Sequence, residues 1–245
     1  MKNIKTYEEF INEDIPTVEI NPDKFPEHGS PKDKKFWSKG KLDGNPYDDI
    51  VSTKSVKIPA KSLKPSQDAI YLGKALGMSI GGVSGGDLEA VISSDNRILD
   101  GHHRWAATMF NNPSDKVGGT QADLKIGDLI PVLRQAGDVL GNKRGVEPAG
   151  GDVNIFRATM DDVIAAVYDG ENMDKEYYNK EKAVEWFNNI GKSTIGIRLK
   201  SIQDKLPPEG APPRSEMPKI KPKQVKQVSN SLSGGKIDIR DPYTK

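Results

Sequence analysis

Asp100-Gly101-His102-His103-Arg104 brings a carboxylate, a guanidinium and two of the chain's three histidines together within five residues. The apolar Ile98-Leu99 leads into it, and a helix-compatible run, Trp105-Ala106-Ala107, follows. A strand that ends at glycine and opens a helix exposes backbone N–H groups at the helix N-terminus, where they and the helix dipole attract an anion. Arg104 adds a permanently charged planar fork suited to phosphate or carboxylate. The imidazoles can bind, donate or accept protons. An isolated His-His pair would read as a polar strand-to-helix corner with surface histidines. With Asp100, Gly101 and Arg104 packed around it, the stretch reads as a phosphate-binding turn.

The elements that must position this turn precede it. Val51 to Ile58 alternates as a strand that Pro59 ends. Ser66 is the expected N-cap of a helix carrying Ile70, Leu72, Ala75 and Leu76, with Gly77 as its stop. Gly81-Gly82-Val83-Ser84-Gly85-Gly86 lacks the spacing and the lysine of a P-loop and reads as a mobile loop. Leu88 to Ile92 and Arg97 to Leu99 are expected strands joined by the hairpin signal Ser93-Ser94-Asp95-Asn96. The second strand delivers Asp100.

This order, Ile58-Pro59, Leu63-x-Pro65-x-Gln67, helix, hairpin and Asp100-Gly101-His102-His103-Arg104, resembles the ParB/sulfiredoxin-like superfamily over roughly residues 50 to 112. The resemblance implies that Gly101, His102, His103 and Arg104 cradle the phosphates of ATP, ADP or CTP with Mg²⁺, and that Gln67 contacts the nucleotide or the substrate. It implies phosphoryl transfer or nucleotide hydrolysis, with Asp100, His102, His103 and Glu89 as catalytic candidates, and with Asp100 or Glu89 to hold Mg²⁺ or act as base. Read from the residues alone, Asp100 can instead cap the following helix, and Glu89 can be a solvated strand residue. Sulfiredoxins carry a catalytic cysteine where His102 stands; this chain has none, which excludes sulfinic-acid reduction. ParB clamps usually show Glu-Arg-Arg in place of His102-His103-Arg104 and carry a DNA-reading helix behind the motif, whereas no basic recognition helix follows here. The Asp-Gly-His-His-Arg form is nearest to free-serine kinases and to phage proteins labelled ParB-like nucleases. A DNA-binding protein or nuclease, with the histidines as metal ligands or general acid, is therefore an alternative, although no third ligand stands at zinc spacing.

Residues 1–13 form an amphipathic segment with Ile4, Tyr7, Phe10 and Ile11 on one stripe. It resembles the head-targeting leaders of internal head proteins in T-even-type phages, and Ile11-Asn12-Glu13 fits the Ile/Leu-x-Glu triplet after which the prohead protease of that group cuts. The implied partners are phage head components, and a second alternative is a packaged head protein with a non-catalytic ParB-like domain. An ordinary amphipathic helix fits the same residues.

Composition bounds the rest. Hydrophobic residues are 35% and charged residues 29%, with 24 glycines and 17 prolines, so a core is expected over only part of the chain. A net charge of +1 supplies no general pull towards nucleic acid or membrane. Without cysteine there is no disulfide or thiolate chemistry. No apolar run reaches membrane-span length and no secretory h-region opens the chain, which points to host cytoplasm or virion interior.

The expected fold is α+β: a small mixed sheet with helices, a helical C-terminal region and extended termini. The divisions are a leader-like segment 1–13, an extended arm 14–49, a nucleotide-binding domain 50–140, a helical subdomain 141–206, and a Pro-rich linker with a terminal helix and strand, 207–245. His28 sits in a turn and is given no role. Trp105 reads as a packing anchor. Ala122 to Ile126 is expected as a strand, Asp128 to Leu140 as a helix with Pro131 in its first turn, and Asn142 to Gly151 as a loop. Further helices are expected from Thr159 to Gly170, from Asp174 to Ile190, and from Ser193 onward through Leu206. Lys219, Lys221, Lys223 and Lys226 form a local basic patch. Val225, Val228 and Leu232 suggest a last helix, and Ile237 to Ile239 a terminal strand.

Overall fold

The structure, a computed structural model, describes residues 53–139, 152–173, 178–220 and 222–225. The leader-like segment, the arm with His28, the Asn142–Gly151 loop and the expected strand near Ile237 lie outside the described residues. The described part is α+β, with a four-stranded mixed sheet in the order β1-β4-β2-β3. Strand β1 is Thr53–Pro59, β2 Gly86–Ile92, β3 Ile98–Asp100 and β4 Lys116–Ala122. Strands β2 and β3 form the expected antiparallel hairpin, β4 lies parallel to β2, and β1 pairs antiparallel with β4 from Thr53↔Ala122 to Pro59↔Lys116.

β4 corrects the strand expected at Ala122–Ile126. Its Gly118-Gly119 pair carries little strand propensity, yet its place in the sheet demands glycine. The β2–β4 register shifts between Asp87 and Ala90, and a Cβ at Gly119 would lie 2.1 Å from the Ala90 carbonyl oxygen. Close backbone approach at a bulge is what glycine permits.

Helix α1 spans Leu72–Ile80, starting later than expected and running through Gly77 to Gly81 as its C-cap. Ser66 is not its N-cap; that position is Tyr71, and Ser66 is engaged elsewhere. The glycine-rich loop ahead of β2 is tied down: the Gly85 N–H donates to Thr108 Oγ1 at 3.1 Å and the Ser84 hydroxyl to Asp115 Oδ2 at 2.5 Å.

Helix α2, His102–Asn111, is the spine of the core. Trp105, Ala106, Met109 and Phe110 are fully buried on it, and the Trp105 indole N–H donates to the Ala60 carbonyl at 2.9 Å. That satisfied indole makes Trp105 the packing anchor its spacing suggested.

Helix α3, Ile126–Val139, starts two residues early because the hairpin carboxylate of Asp95 accepts the Ile126 N–H at 2.9 Å. Pro131 therefore falls beyond the first turn.

Helix α4, Met160–Asp169, opens on a Thr159/Asp162 capping box and closes at Gly170 in the left-handed region, as expected. Helix α5 is Lys180–Ile190, with Asn179 as N-cap in place of the expected start at Asp174; α6 is Lys192–Gln203. Leu206 lies past its end and is exposed, outside the helical stripe to which its spacing assigned it.

Helices α4 to α6 share one apolar cluster with α1, α2 and the sheet, through Val163, Phe187, Ile195 and Ile202. Residues 207–220 are not a free linker. The Asp68 N–H donates to the Pro212 carbonyl at 3.1 Å, Met217 and Ile220 are buried, and a short helix α7, Pro222–Val225, follows. No helix among the described residues is long and apolar enough to cross a membrane.

Candidate functional site

The turn from β3 into α2 hinges on Gly101, the N-cap of α2, at φ +103°. A Cβ there would meet the Ala90 Cβ at 3.4 Å, an ordinary contact, so conformation rather than space requires glycine. No side chain caps α2, and its first turn holds no acidic residue. The N–H groups opening the helix have no intrahelical acceptor, and they add to the positive end of the dipole. Asp100 is therefore not the cap. Its Oδ2 accepts from Arg104 Nη2 at 3.2 Å, one helical turn away. Both side chains are partly exposed, so the pair contributes only about 0–1 kcal/mol to stability, and its main effect is to aim the guanidinium.

The histidines point apart into two separate hydrogen bonds. His102 Nε2 accepts the Ser66 backbone N–H at 3.1 Å, while the Ser66 hydroxyl donates to the Ile98 carbonyl at 2.5 Å. His103 Nε2 accepts the Tyr71 N–H at 3.1 Å, and its ring stacks on Tyr71 with centroids 5.8 Å apart. A nitrogen that accepts an N–H carries no proton, so each ring is neutral with its proton on Nδ1. Burial, reinforced by the charge of Arg214, lowers His102 to about 3. Burial first, then Arg214 and Lys74, hold His103 well below the usual histidine range. The imidazoles thus act as acceptors that fasten residues 66 and 71, at either end of the segment leading into α1, to the start of α2.

Gln67 is buried at the same cleft and donates from Nε2 to the Ala69 carbonyl at 2.5 Å. Glu89 is not brought there. It sits exposed on the β2 bulge at φ +50°, its N–H donating to Asp87 Oδ1, and it does not line the cleft.

The cleft, of about 180 Å³, is lined by Gln67 and the whole Asp100–Arg104 turn. It is completed by residues the sequence reading did not single out as a site: Lys74 and Met78 on α1, and Arg214, Met217 and Pro218 on the C-terminal segment. Lys219, expected only as part of a basic patch, also lines it. Lys221 and Lys226 of that patch lie outside the described residues. The signal for this segment was present in Met217 and Ile220, apolar residues three apart in a Pro-rich stretch, a pattern that a solvated linker has no use for.

Four cations, Lys74, Arg104, Arg214 and Lys219, thus line the cleft with one carboxylate, Asp100. The described residues include no group of three or more His, Cys, Asp or Glu able to hold a metal ion, and both histidine Nε2 atoms are already engaged. A Mg²⁺ ion carried by phosphates and water needs only one or two protein carboxylates, a role that the partly exposed Asp100 fits. Comparison of the chain with protein-family models, with curated proteins and with solved structures found no match.

Proposed function

We propose that the cleft binds the phosphates of a nucleoside di- or triphosphate, in the manner of a ParB/sulfiredoxin-like domain, and supports phosphoryl transfer or hydrolysis. The observation that carries this reading is the charge of the lining: four cations and one carboxylate converge on a helix start that no side chain caps. Oriented N–H groups and guanidinium forks are the usual partners of phosphate oxygens.

Each residue then has a defined part. Gly101 and the N–H groups that follow it hold one phosphate, and Arg104, aimed by Asp100, holds a second. His102 and His103 keep the turn rigid as neutral acceptors. Mg²⁺, when bound, neutralises phosphate charge, and Asp100 is the residue that would hold it. Phosphoryl transfer rests mostly on such positioning and charge neutralisation, which these residues can supply without a protonated histidine. The small mixed sheet feeding this turn is compatible with the ParB/sulfiredoxin-like resemblance.

Isothermal titration with ATP, ADP and CTP in the presence of Mg²⁺ tests the reading. The wild-type protein is expected to bind at least one of them, and Arg104→Ala to bind it about tenfold or more weakly, the size of a lost charge-assisted hydrogen bond. Absence of binding to all three by the wild-type protein would sink the proposal.

A further inference from the structure

Facing the turn and α1, one wall of the cleft comes from a distant part of the chain, the C-terminal strap, residues 207–220. Four of its apolar residues, Pro212, Met217, Pro218 and Ile220, are buried against the body, whereas Arg214 is half-buried and Lys219 exposed. The strap is anchored before Arg214, where the Asp68 N–H meets the Pro212 carbonyl, and after it by Met217 and Ile220. A 3-10 turn at Arg214–Glu216 between these anchors sets the Arg214 Cζ 5.6 Å from the centre of the Tyr71 ring, the same ring that stacks on His103. The guanidinium is close enough for its charge to help keep both histidines unprotonated. A guanidinium has five N–H donors, so one held over an aromatic ring retains donors that can meet an anion.

Resting on the phosphate reading above, we propose that Arg214 is a second phosphate-binding arginine, supplied in cis by the strap, and that the site is incomplete without that strap. The ligand part it grips is the diphosphate or triphosphate chain. A cleft of about 180 Å³ is smaller than the roughly 300–1,000 Å³ of sites that enclose a whole organic ligand, so it suits the phosphates and not the base. Two guanidiniums from separate segments can engage successive phosphates of one chain, each with its own fork of donors.

The experiment measures the affinity of the full chain for inorganic pyrophosphate and for ATP by calorimetry, in wild type, Arg214→Gln, Arg214→Lys and Arg104→Ala, with thermal melting of each. Arg214→Gln keeps most of the stem that packs on Tyr71 and removes the charge. It is expected to weaken both ligands about tenfold or more while the melting temperature stays near that of wild type. Arg214→Lys, which restores charge without the fork, should recover part of the affinity and covers the case in which the glutamine variant folds poorly. If Arg214→Gln binds both ligands as wild type does while Arg104→Ala does not, the strap arginine only packs on Tyr71, and the inference falls with the cleft reading intact. Loss of ATP binding alone, with pyrophosphate unaffected, would assign Arg214 to the nucleoside and overturn its phosphate role. A wild-type protein that binds neither ligand removes the cleft reading itself.

Discussion

Two ten-residue helices of this protein begin in opposite ways. At α4, Thr159 Oγ1 accepts the Asp162 N–H at 3.2 Å, Asp162 Oδ2 accepts the Thr159 N–H at 2.7 Å, and Asp161 adds a second carboxylate to the first turn. The positive helix end is answered by the chain's own acids. These hydrogen bonds in turn hold the Asp162 carboxyl below its ordinary range, the Thr159 side-chain bond first and the backbone bond second. At α2 the N-cap is Gly101, the first turn carries two neutral histidines and Arg104, and no side chain closes the end. The difference separates a helix start closed by the chain's own side chains from one whose positive end no side chain closes. The α2 start must then be held in place by other means, and the histidine contacts with residues 66 and 71 are those means.

Acid should break the α2 start first. His102 is neutral when folded, with its pKa near 3, and has an ordinary value of 6.5 when unfolded, so the unfolded chain binds more protons between these values. Stability therefore begins to fall as pH drops through about 6.5, at a slope that approaches about 1.4 kcal/mol per pH unit for His102 once the unfolded imidazole is fully protonated, and His103 acts in the same direction. Urea unfolding at pH 7, 6 and 5 measures this before most carboxylates titrate. A flat profile across that range would mean that the imidazoles are not buried neutral acceptors.

Removal of one staple should have a somewhat smaller effect. His102→Ala leaves the Ser66 N–H buried without its acceptor and opens a gap behind the turn, and it is expected to cost about 3 kcal/mol. Chemical denaturation at pH 7 tests this. A cost below 1 kcal/mol would show that the turn holds itself.

The smallest effect should come from the self-capped helix. Thr159→Ala should cost about 1 kcal/mol and leave ATP affinity unchanged, because the α4 N-terminus does not line the cleft. Melting and calorimetry on the same sample test both halves. A change in affinity would show that the two helix starts are not independent.

The local chemistry of the chain was legible in its residues. The hairpin turn at Ser93–Asn96, the capping box at Thr159 and the helix opened by Gly101 each rest on interactions within a few positions, so composition and spacing predict them. Elements whose limits depend on distant partners depart from the spacing-based expectation. β4 contains Gly118-Gly119 because a bulge in β2 presses against it, and α3 starts early because Asp95 reaches its first N–H from the hairpin. Ser66 has the right chemistry for an N-cap, but its N–H goes to His102 and its hydroxyl to Ile98, so α1 begins only after Tyr71.

The sequence by itself determined that Asp100–Arg104 forms a strand-to-helix turn with an arginine in the first helical turn, and that no thiol chemistry is available. Only the tertiary structure decided the state of the histidines and the second wall of the cleft. Imidazole protonation depends on burial and on the Ser66 and Tyr71 N–H groups, 36 and 32 positions away, and not on neighbours in the chain. Arg214 reaches the turn because Met217 and Ile220 bury their side chains against the body. Apolar burial has no preferred partner in sequence, so where the strap lands is settled by packing.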